Sequence, residues 1–268
     1  MTRPSVMVAS VALVLFTLVA FAPGLFASAS PIGTDLGAAL RGPSGAHWFG
    51  TDQLGRDVFA RVLYGARSAL LLALAATTLA VLGGTVLGLL SGLGGRAADQ
   101  VLMRLADIFL ALPPLLLALL VVAVMGAGTG TVALAVAAAL IPAYGRVVRA
   151  EALVVRRAGY VEAAVGLGLP RPLLIVRHIL PNSVGAVLAL ATVGFGTALL
   201  YASVLSFLGL GTKPPDPEWG SMLAEGREFL GMAWWIAVFP GAALTLVVIA
   251  VNVVGRYARI RFAGRTPL

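Results

Sequence analysis

The sequence predicts an all-α, polytopic membrane fold of about six transmembrane helices, and three observations carry that expectation. First, 60% of the 268 residues are hydrophobic and only 11% are charged, against roughly 45–50% and about 25% in ordinary soluble domains. Second, the apolar residues gather in long Leu/Ala/Val blocks such as 69–90. At about 1.5 Å per residue such a block matches the roughly 30 Å hydrocarbon core, and it lacks the alternation of a barrel strand. Lipid offers no partner to backbone N–H and C=O groups, so these blocks must be helices. Third, the basic residues that interrupt them fall mainly on alternate loops, as the positive-inside rule requires.

Six blocks follow in order: 6–26, 69–90, 108–125, 131–144, 184–208 and 233–254. The first follows Arg3 and precedes the small-residue run Ala27-Ser28-Ala29, a combination shared with cleaved secretory leaders. Its apolar run exceeds the roughly 7–15 residues of a leader core, which favours a retained span. In the second, Gly84, Gly88 and Gly92 recur every fourth residue and give one face low enough for close helix packing. Pro113-Pro114 and Pro142 fall in the third and fourth blocks, where proline kinks or breaks a helix. The fourth block is the shortest. With the amino terminus inside, the inner segments carry thirteen Arg and four acids and the outer segments six bases and seven acids, a net +9 against −1. Both termini and the 146–183 loop are thereby placed in the cytoplasm. The chain divides into a first helix with an outer segment (1–66), a transmembrane domain (67–255) and a basic tail (256–268).

The net charge of +8 is explained by this topology, so no nucleic acid is implied. Without cysteine, and with only His47 and His178, disulfides, thiolate catalysis, zinc-thiolate sites and histidine-rich metal sites are excluded. No Gly-x-x-x-x-Gly-Lys-Ser/Thr phosphate loop occurs, and Lys213 is the single lysine. The chain therefore supplies no such ATP site.

Two outer segments are rich in turn formers and charges. One runs from His47 through Trp48, Asp52, Arg56 and Asp57; the other runs through Pro214, Pro215, Glu218 and Trp219 to Arg227. Trp48, Asp52, Arg56, Asp57 and Trp219 are candidates for contact with an external partner, although Trp also favours the membrane boundary as an anchor. On the inner side, residues 160–182 predict two short helices broken near Gly168–Pro172, because glycine permits the turn and proline stops the preceding helix. Ala163 and Ala164 give a low profile for a partner's groove. Glu162 and the surrounding arginines supply orienting charge.

Glu162-Ala163-Ala164, three residues, then Gly168, with Leu180-Pro181 beyond, resembles the EAA motif of permease subunits in binding-protein-dependent ABC importers. Arg177-His178-Ile179-Leu180-Pro181-Asn182 is similar to the dipeptide/oligopeptide/nickel branch, where the general family has Ile at the position of His178. Phe49-Gly50-Thr51-Asp52-Gln53-Leu54-Gly55-Arg56-Asp57, Tyr64-Gly65-Ala66-Arg67, Ser206 to Gly211 and Trp219-Gly220-Ser221-Met222-Leu223 extend the resemblance over most of the chain beyond His47, toward the C-type subunit. The resemblance implies a type I importer permease fold, with Tyr160, Glu162, Ala163, Ala164, Gly168, Pro170, His178 and Pro181 in the ATPase-coupling segment. It also implies ATP and magnesium in partner ATP-binding subunits and no cofactor in this chain. A second permease subunit, a periplasmic or lipid-anchored solute-binding protein and membrane lipid complete the partners. Peptides are the expected cargo, with nickel or a metal chelate the alternative. An ion-coupled secondary transporter, the rival class, needs intramembrane ionisable groups. Asp107 alone approaches that requirement, and it is expected to pair with Arg104 on its own helix.

Overall fold

In the computed structural model, which describes residues 3–263, the chain is a helical bundle whose elements appear in the order α1 (Arg3–Phe21), α2 (Val58–Leu93), α3 (Arg96–Ala111), α4 (Pro114–Met125), α5 (Thr129–Arg156), α6 (Gly159–Gly166), α7 (Arg171–Leu174), α8 (Leu180–Phe207), α9 (Trp219–Gly226) and α10 (Trp235–Ala263). Five helices, within α1, α2, α5, α8 and α10, are long and apolar enough to cross a membrane, and α3 with α4, bent by 98°, makes a sixth when the pair is taken as one span. No strand occurs among the described residues.

The bend corrects the third block, which is not one helix over 108–125. Pro113 lies between α3 and α4 and pushes Leu112 into an extended conformation (φ −84°, ψ 141°), as the ring of a following proline does. Proline does not break α5. Pro142 is buried inside a helix of 28 residues, twice the length of the apolar block at 131–144 and about 42 Å long. The apolar run stops at Tyr144, but the backbone continues through Arg146 and Arg149 because protein lines that face: Val148 and Ala152 are fully buried. Residues 146–156 of the expected 146–183 loop are therefore helix. Helix α2 is longer than 69–90 as well, since Asp57 caps it by accepting from the Ala60 N–H (2.9 Å) and starts it at Val58. α10 passes through the 255/256 boundary to Ala263, and the rest of the basic tail, 264–268, lies outside the described residues.

Helices α2 and α5 form the central pair. A side-chain carbon added at Gly84 would meet Tyr144, one at Gly88 would meet Val148 and one at Gly92 would meet Ala152. This four-by-four register shows the two helices running parallel. Their glycine face lets the backbones approach closely, the packing mode that replaces hydrophobic drive inside lipid. Helix α1, in turn, packs Leu13, Phe16 and Val19 onto a core shared by α2, α8, α9 and α10, with the Phe16 ring edge-on to Trp219 at 6.1 Å. A second core joins α2, α4, α5 and α8 around Val132, Val136 and Leu205. The six crossings alternate in direction, so α1 begins and α10 finishes at the end of the bundle that carries α6.

Candidate functional site

At that end, α5 stops at Arg156 and the chain turns into α6. Val161 and Ala164 face inward, packed with Ala152, Val155, Leu174 and Ile179. Tyr160, Glu162, Ala163, Gly168 and Pro170 lie on the outer side of this packed cluster, with Tyr160, Glu162, Ala163 and Pro170's neighbour Arg171 exposed. Ala164 therefore anchors the helix rather than presenting a low profile outward, which corrects the pairing expected of the two alanines: helical periodicity sends Val161 and Ala164 to one face and Ala163 to the other. The break after α6 is a Schellman motif. The Leu169 N–H bonds the Ala164 carbonyl (3.1 Å) and the Gly168 N–H bonds that of Val165 (2.9 Å). Gly168 sits at φ +79°, in the left-handed region where other residues are strained.

Glu162 has no ion pair or hydrogen bond among the described residues. It lines a cleft of about 380 Å3 together with Arg156 and Arg171. Leu167 (83% exposed), Val176 and Val154, from the same end of the chain's fold, are also large exposed apolar side chains. His178 lies in a widened turn, Ile175–Ile179. Its ring is 6.3 Å from that of Tyr160, and its carbonyl accepts from the Asn182 side chain (2.6 Å). Pro181 follows in the first turn of α8, which continues directly from the widened turn, the Leu180 N–H bonding the Ile175 carbonyl. Neighbouring ion pairs brace this end. Asp99 of α3 takes both Nε and Nη2 of Arg149 on α5, and Asp107 pairs with Arg146 of α5 rather than with Arg104. The 98° bend swings α3 against α5, and α5 holds the better-placed guanidinium.

The opposite end carries a cap made of residues 23–57 and 208–234. Here Asp52, Arg56 and Trp219, read from sequence as external contacts, are inside the chain, at 1%, 2% and 0% exposure. Asp52 accepts from Arg56 Nε (2.6 Å) and lies 3.5 Å from Arg61 Nε; Glu225 accepts from Arg56 Nη2 (2.8 Å) and Arg61 Nη2 (3.2 Å). Two carboxylates and two guanidiniums thus balance, the condition under which buried charge is tolerated. Trp219 donates to the Val62 carbonyl (2.9 Å) and Trp235 to that of Thr51 (2.9 Å). Asp57 is half committed as well, capping α2 and meeting His47 Nδ1 at 2.8 Å. Of the five expected contact residues only Trp48 is well exposed, at 65%, with its ring 5.0 Å from that of Phe59. Arg61, Glu225 and Glu218 are parts of the cap that sequence reasoning misses. The helix-capping Asp57 is the available signal that Arg61 lies one turn into a helix.

Glu218 caps α9 through Ser221 N–H (3.0 Å) and is 1% exposed. Burial pushes its carboxyl above the ordinary range, opposed by the N–H groups of Gly220 and Ser221.

The fold and site thus combine membrane-length helices, a cap of buried ion pairs at one end and a short, charged, anchored helix at the other, and the chain's relatives make this a membrane permease subunit. The chain belongs to the family of binding-protein-dependent transport system inner membrane components, whose model it matches over residues 84–263. It is 43% identical over 240 residues to a dipeptide transport system permease protein of Alkalihalophilus pseudofirmus, covering 90% of this chain and 79% of that protein. A glutathione transport system permease protein of Pectobacterium atrosepticum is 44% identical over 214 residues, covering 80% and 71%. Among solved structures, the inward facing MetNI methionine ABC transporter shares the fold at TM-score 0.58 and 19% identity, over 74% of this chain and 95% of that one. The chain is accordingly a transport subunit of an ABC importer.

Proposed function

We propose that the chain forms half of the translocation pathway of an importer for di- and oligopeptides, in the cytoplasmic (inner) membrane, with both termini and α6 in the cytoplasm. A second permease subunit completes the pathway, an external solute-binding protein delivers cargo, and ATP-binding subunits receive α6. ATP and magnesium act there, since this sequence has no phosphate loop. The observation that carries the coupling role is α6 itself: two inward side chains pin it to the end of α5, while Glu162 stays unpaired and Leu167 stands exposed just beyond it in sequence. Drive requires contacts that differ between the partner's nucleotide states, because a partner bound equally in both shifts nothing. The cargo is supported by the names of the relatives above, which are dipeptide and glutathione permeases.

The test is ATPase stimulation of the purified assembly, with its own binding protein, by short peptides and by nickel complexes. Peptide stimulation is expected, and stimulation by nickel alone would overturn the cargo. Uptake that collapses with an uncoupler while ATP stays high would instead restore the ion-coupled reading.

A further inference from the structure

The bundle holds a cavity of about 610 Å3 at the capped end, walled by the outward stripe of α2, the first turn of α5 and the 212–217 segment. It falls in the ordinary size range of small-molecule sites. It has two charges, Arg67 and Asp216, and neither has an ion pair or hydrogen bond among the described residues. They are also more than an ion-pair distance from each other. The hydroxyls of Thr129 and Thr212, 3.5 Å apart, and Tyr64 line the same cavity. Arg67 precedes the apolar run 69–90 by two residues, and its face of α2 turns away from the buried face, Val62, Ala66, Ala69 and Ala73. A guanidinium facing hydrocarbon is unfavourable, so such a residue turns toward a watery path or a partner charge. A cation and an anion that line one cavity without pairing complement a ligand with one opposite charge at each end. An extended dipeptide spans roughly 7 Å between those ends.

Resting on the peptide reading above, we infer that this cavity is a receiving site for free, zwitterionic peptides at the mouth of the pathway. Arg67 takes the terminal carboxylate through a forked charge-assisted pair and Asp216 takes the terminal ammonium. The uncapped N–H groups of the first turn of α5, whose preceding residue Gly128 has no side-chain oxygen to offer, add favourable potential on the carboxylate side. The site selects for both chain ends and is indifferent to the side chains between them.

The chain contains no cysteine, so one introduced as Leu71→Cys, on the cavity wall, reports occupancy in the reconstituted assembly without the binding protein. Alanyl-alanine is expected to slow its alkylation, whereas the C-terminal amide and the N-acetyl form are not. Arg67→Gln and Asp216→Asn should each weaken protection about tenfold, the usual effect of losing one charge-assisted bond, and Arg67→Lys should restore part of it. Equal protection by the amide, or full protection in the Arg67→Gln background, overturns the site. So does a cysteine that reacts only after the second permease subunit is removed, which would make the cavity a subunit contact. Alanyl-alanine uptake by the complete wild-type system separates the two levels: uptake without protection sinks the site alone, and no uptake sinks the peptide reading.

Discussion

Alanine substitution along the α2 glycine stripe isolates the packing of α2 on α5. At Gly88 an added Cβ would lie 2.5 Å from Val148 Cβ, 2.6 Å from the Gly145 carbonyl oxygen and 2.8 Å from the Arg149 nitrogen. Two of those three are backbone atoms, so no rotamer change relieves them. Restoring ordinary contact at about 3.5–4.0 Å requires the helices to part by roughly 1 Å. At Gly92 the nearest atom is Ala152 Cβ at 3.4 Å, an ordinary contact. Both substitutions gain the same helix propensity, about 1 kcal/mol, so their difference measures overpacking alone, expected at about 1–3 kcal/mol. Gly88→Ala should therefore be the less stable of the two by that amount in mild denaturant titration of the purified subunit followed by helical circular dichroism. Equal stabilities, or a less stable Gly92→Ala, would refute the claim that the stripe works by backbone approach.

Four further outcomes are expected. Glu162→Lys should abolish ATP-driven uptake while leaving the subunit's own denaturation midpoint within error of wild type, because the side chain makes no bond that folds the chain. Gly168→Ala, by contrast, should destabilise the docking segment by about 1–2 kcal/mol through its positive φ alone; no atom lies within 4 Å of an added Cβ, so Gly168→Asn should be milder, and protease accessibility of residues 159–174 would read the order. Glu225→Ala should loosen the cap by about 3 kcal/mol, since it leaves the buried Arg56 and Arg61 to share Asp52 alone and one positive charge uncompensated, seen as faster hydrogen exchange over 50–61. The raised pKa of Glu218 means that the folded chain holds its proton more tightly than the unfolded chain. Its contribution to stability is thus greatest at acid pH and declines as pH rises from the unfolded value, about 4.3, through the folded one. The stability difference between wild type and Glu218→Gln should decline as pH rises above about 4.3, and a flat difference would count against it.

The sequence exposes most of the bundle because hydrocarbon imposes a simple rule on it: every crossing has an apolar block, and Asp57, Gly168 and Pro113 mark real starts and stops. What the rule does not reach is helix supported by protein instead of lipid. Residues 146–156 look like a charged loop, yet they fold as the second half of α5 because α2 lines one side and Asp99 and Asp107 neutralise Arg149 and Arg146. The cap is hidden for a related reason. Asp52, Arg56 and Trp219 have the composition of a wet surface, and the pairing of Arg56 with Glu225, 169 residues further along the chain, belongs to the fold that buries them. At the docking end, spacing locates the break at Gly168 but cannot assign Val161 and Ala164 to the anchored face, since alanine fits either side of a helix.

Helix α5 links the two ends in a way that sequence order hides. Its first turn walls the cavity that holds Arg67 and Asp216, its last turn bears α6, and no break interrupts the roughly 42 Å between. Such an element behaves as a lever arm. A displacement of about 3 Å at Arg156, about 15 Å from the crossing where Gly84 and Gly88 meet Tyr144 and Val148, tilts the rod by roughly 11°, and the same rotation slides Thr129 against Thr212 at the other extremity. On the proposed docking of α6 and the proposed peptide site at the capped end, the two would be joined through this one rod, and by reciprocity a ligand there would act on the partner ATPase with the same coupling energy that the ATPase exerts on the site.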